Sequence, residues 1–197
     1  MPTRSQQATL AGIEAELARL IRYDDESVVH DTWIRQRYDG GYYPTFAPAR
    51  RAAVRTAWHE AGHAVAALAL GAQFSSASIH HSSDSEGRVH RIRGTTDASF
   101  VIDAAGQIAE RLMNWTMLGR DDELGEWLPT WRGDGGDARR FRRDIRPRFG
   151  PNEISAWRHS EAVLVPLRPK IRYLARGLLV HPRHLPYSVA AALAAGA

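Results

Sequence analysis

The chain has 197 residues, of which 44% are hydrophobic and 24% charged, with a formal charge of +4 and no cysteine. That length suits one domain with a core, or one domain plus an appendage, and excludes a large multi-domain machine, while the ordinary apolar and charged fractions make a folded chain and not a disordered one the default reading. The missing thiols exclude disulfides, thiolate metal sites and cysteine nucleophiles, so any metal must be held by His, Asp or Glu.

In chain order, residues 8–22 place Leu10, Ile13, Leu17, Leu20 and Ile21 at helical spacing and predict an amphipathic helix. The next stretch, through "VVHDTWIRQRY", reads as helix too. "DGGYYPTFAPARR" then carries two glycines and two prolines, which predicts a linker and a boundary near Arg50: an N-terminal helical extension over 1–50 and a main domain over 51–197. From Arg51 a helix runs to Gly71, a C-terminal cap. "FSSASIHHSSDSEGRVHRIRG" reads as two short strands joined as a hairpin. "ASFVIDAAGQIAERLMNWTML" is a buried helix offering Phe100, Ile102, Ile108, Leu112 and Met113 to a core. After a loop rich in Gly, Asp and Trp, Asp137 opens a further helix. One or two more follow, interrupted around Pro166 and Pro169, and "HLPYSVAAALAA" closes the chain as a short helix. The fold class expected is mainly α, an α+β domain with a small hairpin or sheet.

The chemistry concentrates in "AWHEAGHAVAALALGA", residues 57–72. His59 and His63 are four apart, so on a helix they differ by about 40° in azimuth and ~6 Å in height, and both imidazoles can converge on one ion. Glu60 lies about 100° round from His59, placed to reach water activated by the metal and not the metal itself. This is the pattern of H-E-x-x-H zinc hydrolases: two ligands and a general base. Zinc polarises a peptide carbonyl and lowers the pKa of water toward ~7, and the glutamate relays the proton to the leaving amine. Three polar groups on an otherwise Ala, Val and Leu helix are costly to bury without a partner, and a metal satisfies all three. The plainer reading is two histidines and a glutamate on a solvated helix face. His80, His81 and His90 read as strand-face or surface histidines, and His159, His181 and His184 show no partner pattern.

"RTAWHEAGHAVAALALGA" resembles the zinc-site helix of the FtsH-type ATP-dependent metalloproteases. "IDAAGQIAERLM" is similar to that family's second helix with its Gly-x-x-Ala-Glu core, "GDGGDARRF" to its aspartate segment, and "IRYLARGLLVHPRHLPYSVAAAL" to its closing helices. The resemblance covers roughly residues 51–197 and weakens toward the end. It implies a helical zincin-type peptidase domain, hydrolysing peptide bonds, with His59 and His63 as zinc ligands, Glu60 as catalytic base and Asp137 as third ligand. Glu110, on the second helix, is the carboxylate a thermolysin-like arrangement favours, and Asp134 lies three residues from Asp137 in the same Gly-rich loop. Asp137 also has a structural role open to it as a helix N-cap.

The departures from the family are informative. A P-loop needs G-x-x-x-x-G-K-[ST], and the one lysine, Lys170, follows Pro169. No ATPase module is expected, so the substrate is accessible polypeptide or polypeptide delivered by a separate ATPase or regulatory partner. The longest apolar run, Ala64 to Ala72, is far short of the ~20 residues of a membrane span, and the start is not of signal-peptide type, so no membrane association and a cytoplasmic location are expected. The Trp-rich segment from Trp115 to Trp131 has no counterpart in the family and suits a lid, a partner surface or core packing. Two readings compete with peptidase activity. One is a catalytically silent zinc-containing binding or regulatory module of the same fold. The other is nucleic-acid binding through clusters such as "RRFRRDIRPR", which is disfavoured because the arginines alternate with acidic and apolar residues and form no reading motif.

Overall fold

The computed structural model describes residues 3–21, 48–80, 87–94, 97–118, 136–181 and 184–196. Along these run α1 (Arg4–Ile21), α2 (Pro48–Ala69), β1 (Ser76–Ser78), β2 (Arg88–His90), α3 (Ser99–Leu118) and α4 (Gly136–Asp144). The one-turn α5 (Arg146–Phe149), α6 (Glu153–Leu164), a 3-10 turn (Val165–Leu167), α7 (Arg168–Val180), β3 (Leu185–Pro186) and α8 (Tyr187–Ala195) complete them. The protein is mainly helical with one small antiparallel sheet, the class its sequence indicates.

Helix α2 sits at the centre, between α3 on one side and α7 on the other. Its Ala57, Ala61, Ala64, Ala66 and Ala67 are fully buried, and such small residues let neighbouring helices come close. The approach to α3 is close at Gly62, where a Cβ would stand 2.6 Å from the Cβ of Ala109 and closer still to the Ala105 carbonyl oxygen. Any side chain there would push α3 away, and the candidate site lies across this same crossing. Helix α2 ends in a Schellman motif: Gly71 adopts φ 73°, its N–H bonds to the Leu68 carbonyl at 3.1 Å, and the Ala72 N–H bonds to the Ala67 carbonyl at 2.8 Å. A left-handed backbone at that point is why glycine closes the helix.

Helix α4 presents Ala138 and Phe141 inward at helical spacing, and Ile145, just past its end, is buried too. Phe141 meets Phe100 of α3 at 6.4 Å and Trp157 of α6 at 6.3 Å between ring centroids, which anchors α4 against both. The proline breaks act as expected: α6 stops at Leu164, and α7 restarts with Pro169 in its first turn, where a missing N–H costs nothing.

The hairpin forms with Ser76 opposite His90, Ala77 opposite Val89 and Ser78 opposite Arg88. A third strand joins it, β3, pairing Ala77 with Leu185 and Ser76 with Pro186, so β1 becomes the central strand. Two residues carry no alternation that would mark a strand in a sequence.

Helix α2 begins at Pro48, ahead of the boundary expected near Arg50, so the last residues of the 1–50 segment belong to the central helix. Helix α1 packs on α7 and α8, and its Ile13 is buried in the common core. The expected helix after residue 22, the linker glycines and most of the Trp-rich segment lie outside the described residues.

Candidate metal centre

His59 and His63 rise from α2 toward a cleft of 840 Å³ walled by α2, α3, α4 and the β2 strand. The His63 Nδ1 donates to the Ile102 carbonyl at 2.7 Å. A carbonyl only accepts, so the Nδ1 carries the proton and Nε2 is the free nitrogen of the neutral ring. The His59 Nδ1 donates to Glu110 Oε1 at 2.7 Å, which likewise turns its Nε2 into the cleft. The two Nε2 atoms are 3.0 Å apart. Asp137, in the first turn of α4, brings its Oδ2 to 3.3 Å from the His59 Nε2 and 3.4 Å from the His63 Nε2.

These three atoms make a compact triangle, and the group could hold a metal ion. Zinc bonds of about 2.0–2.1 Å in a tetrahedral site imply donor atoms roughly 3.3 Å apart. The observed edges match that spacing, so the residues present fit such an ion. Room at the nitrogens is provided by Gly106 of α3. A Cβ at that position would lie 2.6 Å from the His63 Nε2 and 2.5 Å from the His59 Cε1.

Electrostatics follow from this crowding. Burial works to lower the His59 pKa, but hydrogen bonds to Asp137 and Glu110 and the nearby negative charges outweigh it and raise it to about 10. Burial works to raise the Asp137 carboxyl, yet hydrogen bonds from both histidines and the charges of His63 and Arg140 hold it well below the usual carboxylate range. The raised His59 and the lowered Asp137 are two sides of one contact, in which the protonated ring and the carboxylate stabilise each other.

Glu60 is buried beside the triangle, with Gly87 packed over its side chain. Burial pushes its carboxyl up, partly offset by the two histidines, while Asp137 adds to the rise and a hydrogen bond from the Val89 backbone lowers it. Asp103, on the cleft wall, is pushed up to about 6 by burial, against the pull of the Arg140 guanidinium.

Of the residues expected at the site, His59, Glu60, His63 and Asp137 come together. Asp137 is not an N-cap; it lies within the first turn of α4 with its carboxylate turned to the histidines. Glu110 stands behind His59, on the ring nitrogen opposite the converging ones, and does not join the donor set. Asp134 and His81 lie outside the described residues. His80 is exposed, and neither it nor His90 lines the cleft. His159 stacks near Phe100 and Phe149, at 5.7 and 5.9 Å.

Sequence reasoning passed over Ile102, Asp103, Gly106, Val89 and Arg140. One signal was available: Ile102, Gly106 and Glu110 recur every four residues, which puts them on one stripe of α3 facing the histidines. No described helix is long and apolar enough to cross a membrane. Compared with protein-family models, with curated proteins and with solved structures, the chain matches none of them, so its likeness to the FtsH-type peptidases rests on the residues quoted above.

Proposed function

We propose that this chain is a zinc-dependent metallopeptidase of the H-E-x-x-H type, with His59, His63 and Asp137 as ligands and Glu60 as general base. The observation that carries the reading is the convergence of two imidazole nitrogens and one carboxylate oxygen within 3.4 Å on the wall of an open cleft, with a buried glutamate beside them. Two imidazoles and a carboxylate suit zinc and leave one position for substrate or water. A bound zinc ion supplies a Lewis acid that polarises the scissile carbonyl and lowers the pKa of water.

The chain's own residues do the rest. The Ile102 carbonyl and Glu110 set the tautomers of His63 and His59, so both rings present Nε2. Glu60 is oriented by the Val89 backbone, and its raised proton affinity suits a carboxylate that takes a proton from attacking water and hands it to the departing amine. The proposed substrate is polypeptide already accessible or delivered by a separate ATPase. The cytoplasm is the proposed site of action.

The test is elemental analysis of the purified chain together with hydrolysis of an unfolded protein such as casein. Stoichiometric zinc and hydrolysis that Glu60→Gln abolishes without loss of zinc support the reading. Iron in place of zinc overturns it. Zinc with no hydrolysis of a broad peptide library supports the silent-module reading instead.

A further inference from the structure

Arg140 stands between two carboxylates, and only one of them belongs to the converging donor set. Its Nε donates to Asp103 Oδ1 at 2.9 Å, and its Nη2 donates to Asp137 Oδ1. The two oxygens of Asp137 therefore serve different partners: Oδ1 faces the guanidinium, and Oδ2 faces the histidine nitrogens at 3.3 and 3.4 Å. Asp103 belongs to α3 and Asp137 and Arg140 to α4, so the guanidinium also ties the helix that carries the third donor atom to α3.

Left to itself, an aspartate carboxylate rotates broadly about its terminal torsion and can offer a cation one oxygen or two. A planar guanidinium held at two points removes that freedom, because its donors leave in fixed directions. The anchor is itself costly. Asp103 is only 7% exposed, and its Oδ2 makes no hydrogen bond among the described residues. A carboxylate kept buried and half-satisfied works against folding, and the group it does bind, Arg140, is the one that reaches Asp137.

We propose that Arg140, anchored by Asp103, is a positioning residue that fixes Asp137 as a one-oxygen metal ligand and so keeps a coordination position open toward the cleft. The inference rests on the metal centre described above and adds to it the device that sets how Asp137 binds.

The experiment is a cobalt(II) titration of the wild-type chain, Arg140→Gln, Arg140→Lys and Asp103→Asn, followed by visible absorption, with thermal melting of each metal-free protein. The wild type should give the intense bands of four-coordinate cobalt. Arg140→Gln and Asp103→Asn should lower cobalt affinity about 10–100-fold and weaken the bands as Asp137 adds its second oxygen. Arg140→Lys keeps the charge but cannot span both carboxylates, so it should behave the same way and carries the test if the glutamine variant does not melt cooperatively. Unchanged affinity and spectrum in a variant that melts like the wild type overturns the proposal. So does tighter binding by Arg140→Gln, which would mean that the arginine competes with the metal for Asp137. A wild-type chain that takes up neither cobalt nor zinc overturns the metal centre itself, an outcome read before any variant is compared.

Discussion

Glu110 Oε1 lies 2.7 Å from the Nδ1 of His59, on the side of the ring opposite Asp137. The carboxylate that the sequence offers as a rival ligand is thus a partner of one of the candidate ligands. It fixes which nitrogen of His59 carries the proton and raises the basicity of the other, as a carboxylate behind a metal-binding histidine does.

Removing that partner should loosen the centre without abolishing it. Glu110→Ala should lower zinc affinity by about 10–100-fold in competition with a chromophoric chelator, and Glu110→Gln, which can still accept from Nδ1, by less. Equal affinity in all three proteins would rule out a role for Glu110 in orienting His59.

Gly106 makes a prediction whose sign separates two effects. Helix propensity alone says that Gly106→Ala gains roughly 1 kcal/mol, since the position is inside α3. Clearance says the opposite, because the new methyl would come within 2.6 Å of the His63 Nε2. The expected outcome is a loss of about 1–3 kcal/mol by chemical denaturation, with zinc no longer raising the melting temperature. A stabilised variant that still responds to zinc would show that the histidines have room to spare.

Metal loading should be coupled to protons. In the metal-free chain the hydrogen bonds to Asp137 and Glu110 outweigh burial and hold the His59 pKa at about 10, whereas the unperturbed group titrates near 6.5. Ligation needs a neutral ring, so zinc binding at pH 7.5 should release close to one proton per chain, measured by calorimetry in buffers of different ionisation enthalpy. Because the folded value is raised, the stability tied to this proton is complete below about 6.5 and is lost as the pH climbs toward about 10. The metal-free melting temperature should fall through that window, while the zinc-loaded protein, with no proton on the His59 Nε2, should vary less. Zinc uptake without proton release would mean that His59 is neutral beforehand.

Phe100 links the core to the site. Its ring is fully buried, 6.4 Å from Phe141 and 5.3 Å from Phe149, and it seats α4, the helix that carries Asp137, against α3. Phe100→Ala should cost about 3–5 kcal/mol in urea denaturation. Where the variant still folds, zinc affinity should fall as well, since α4 loses its seat. An intact affinity would show that the polar contacts of Asp137 to Arg140 and the histidines hold it without the ring contacts of Phe100.

Much of this was legible in the chain itself. The i, i+4 spacing of His59 and His63 and the position of Glu60 follow from helix geometry, and the apolar periodicity, the prolines and Gly71 place the helices and their ends. These are local properties, in which a few neighbouring residues decide the outcome. The third donor was a choice among Asp137, Glu110 and Asp134, because carboxylates far apart in sequence have equal chemistry until a fold brings one of them in. Tertiary packing separates two of them: the small-residue contact of Gly62 with Ala109 brings α3 against α2, which puts Glu110 behind His59 and Gly106 under the nitrogens. The seating of Phe141 against Phe100 and Trp157 then carries Asp137 to the open side of both rings, and Arg140 reaches back to Asp103. Spacing along one helix determines which groups can act together; only the distances between helices determine which of the others join them.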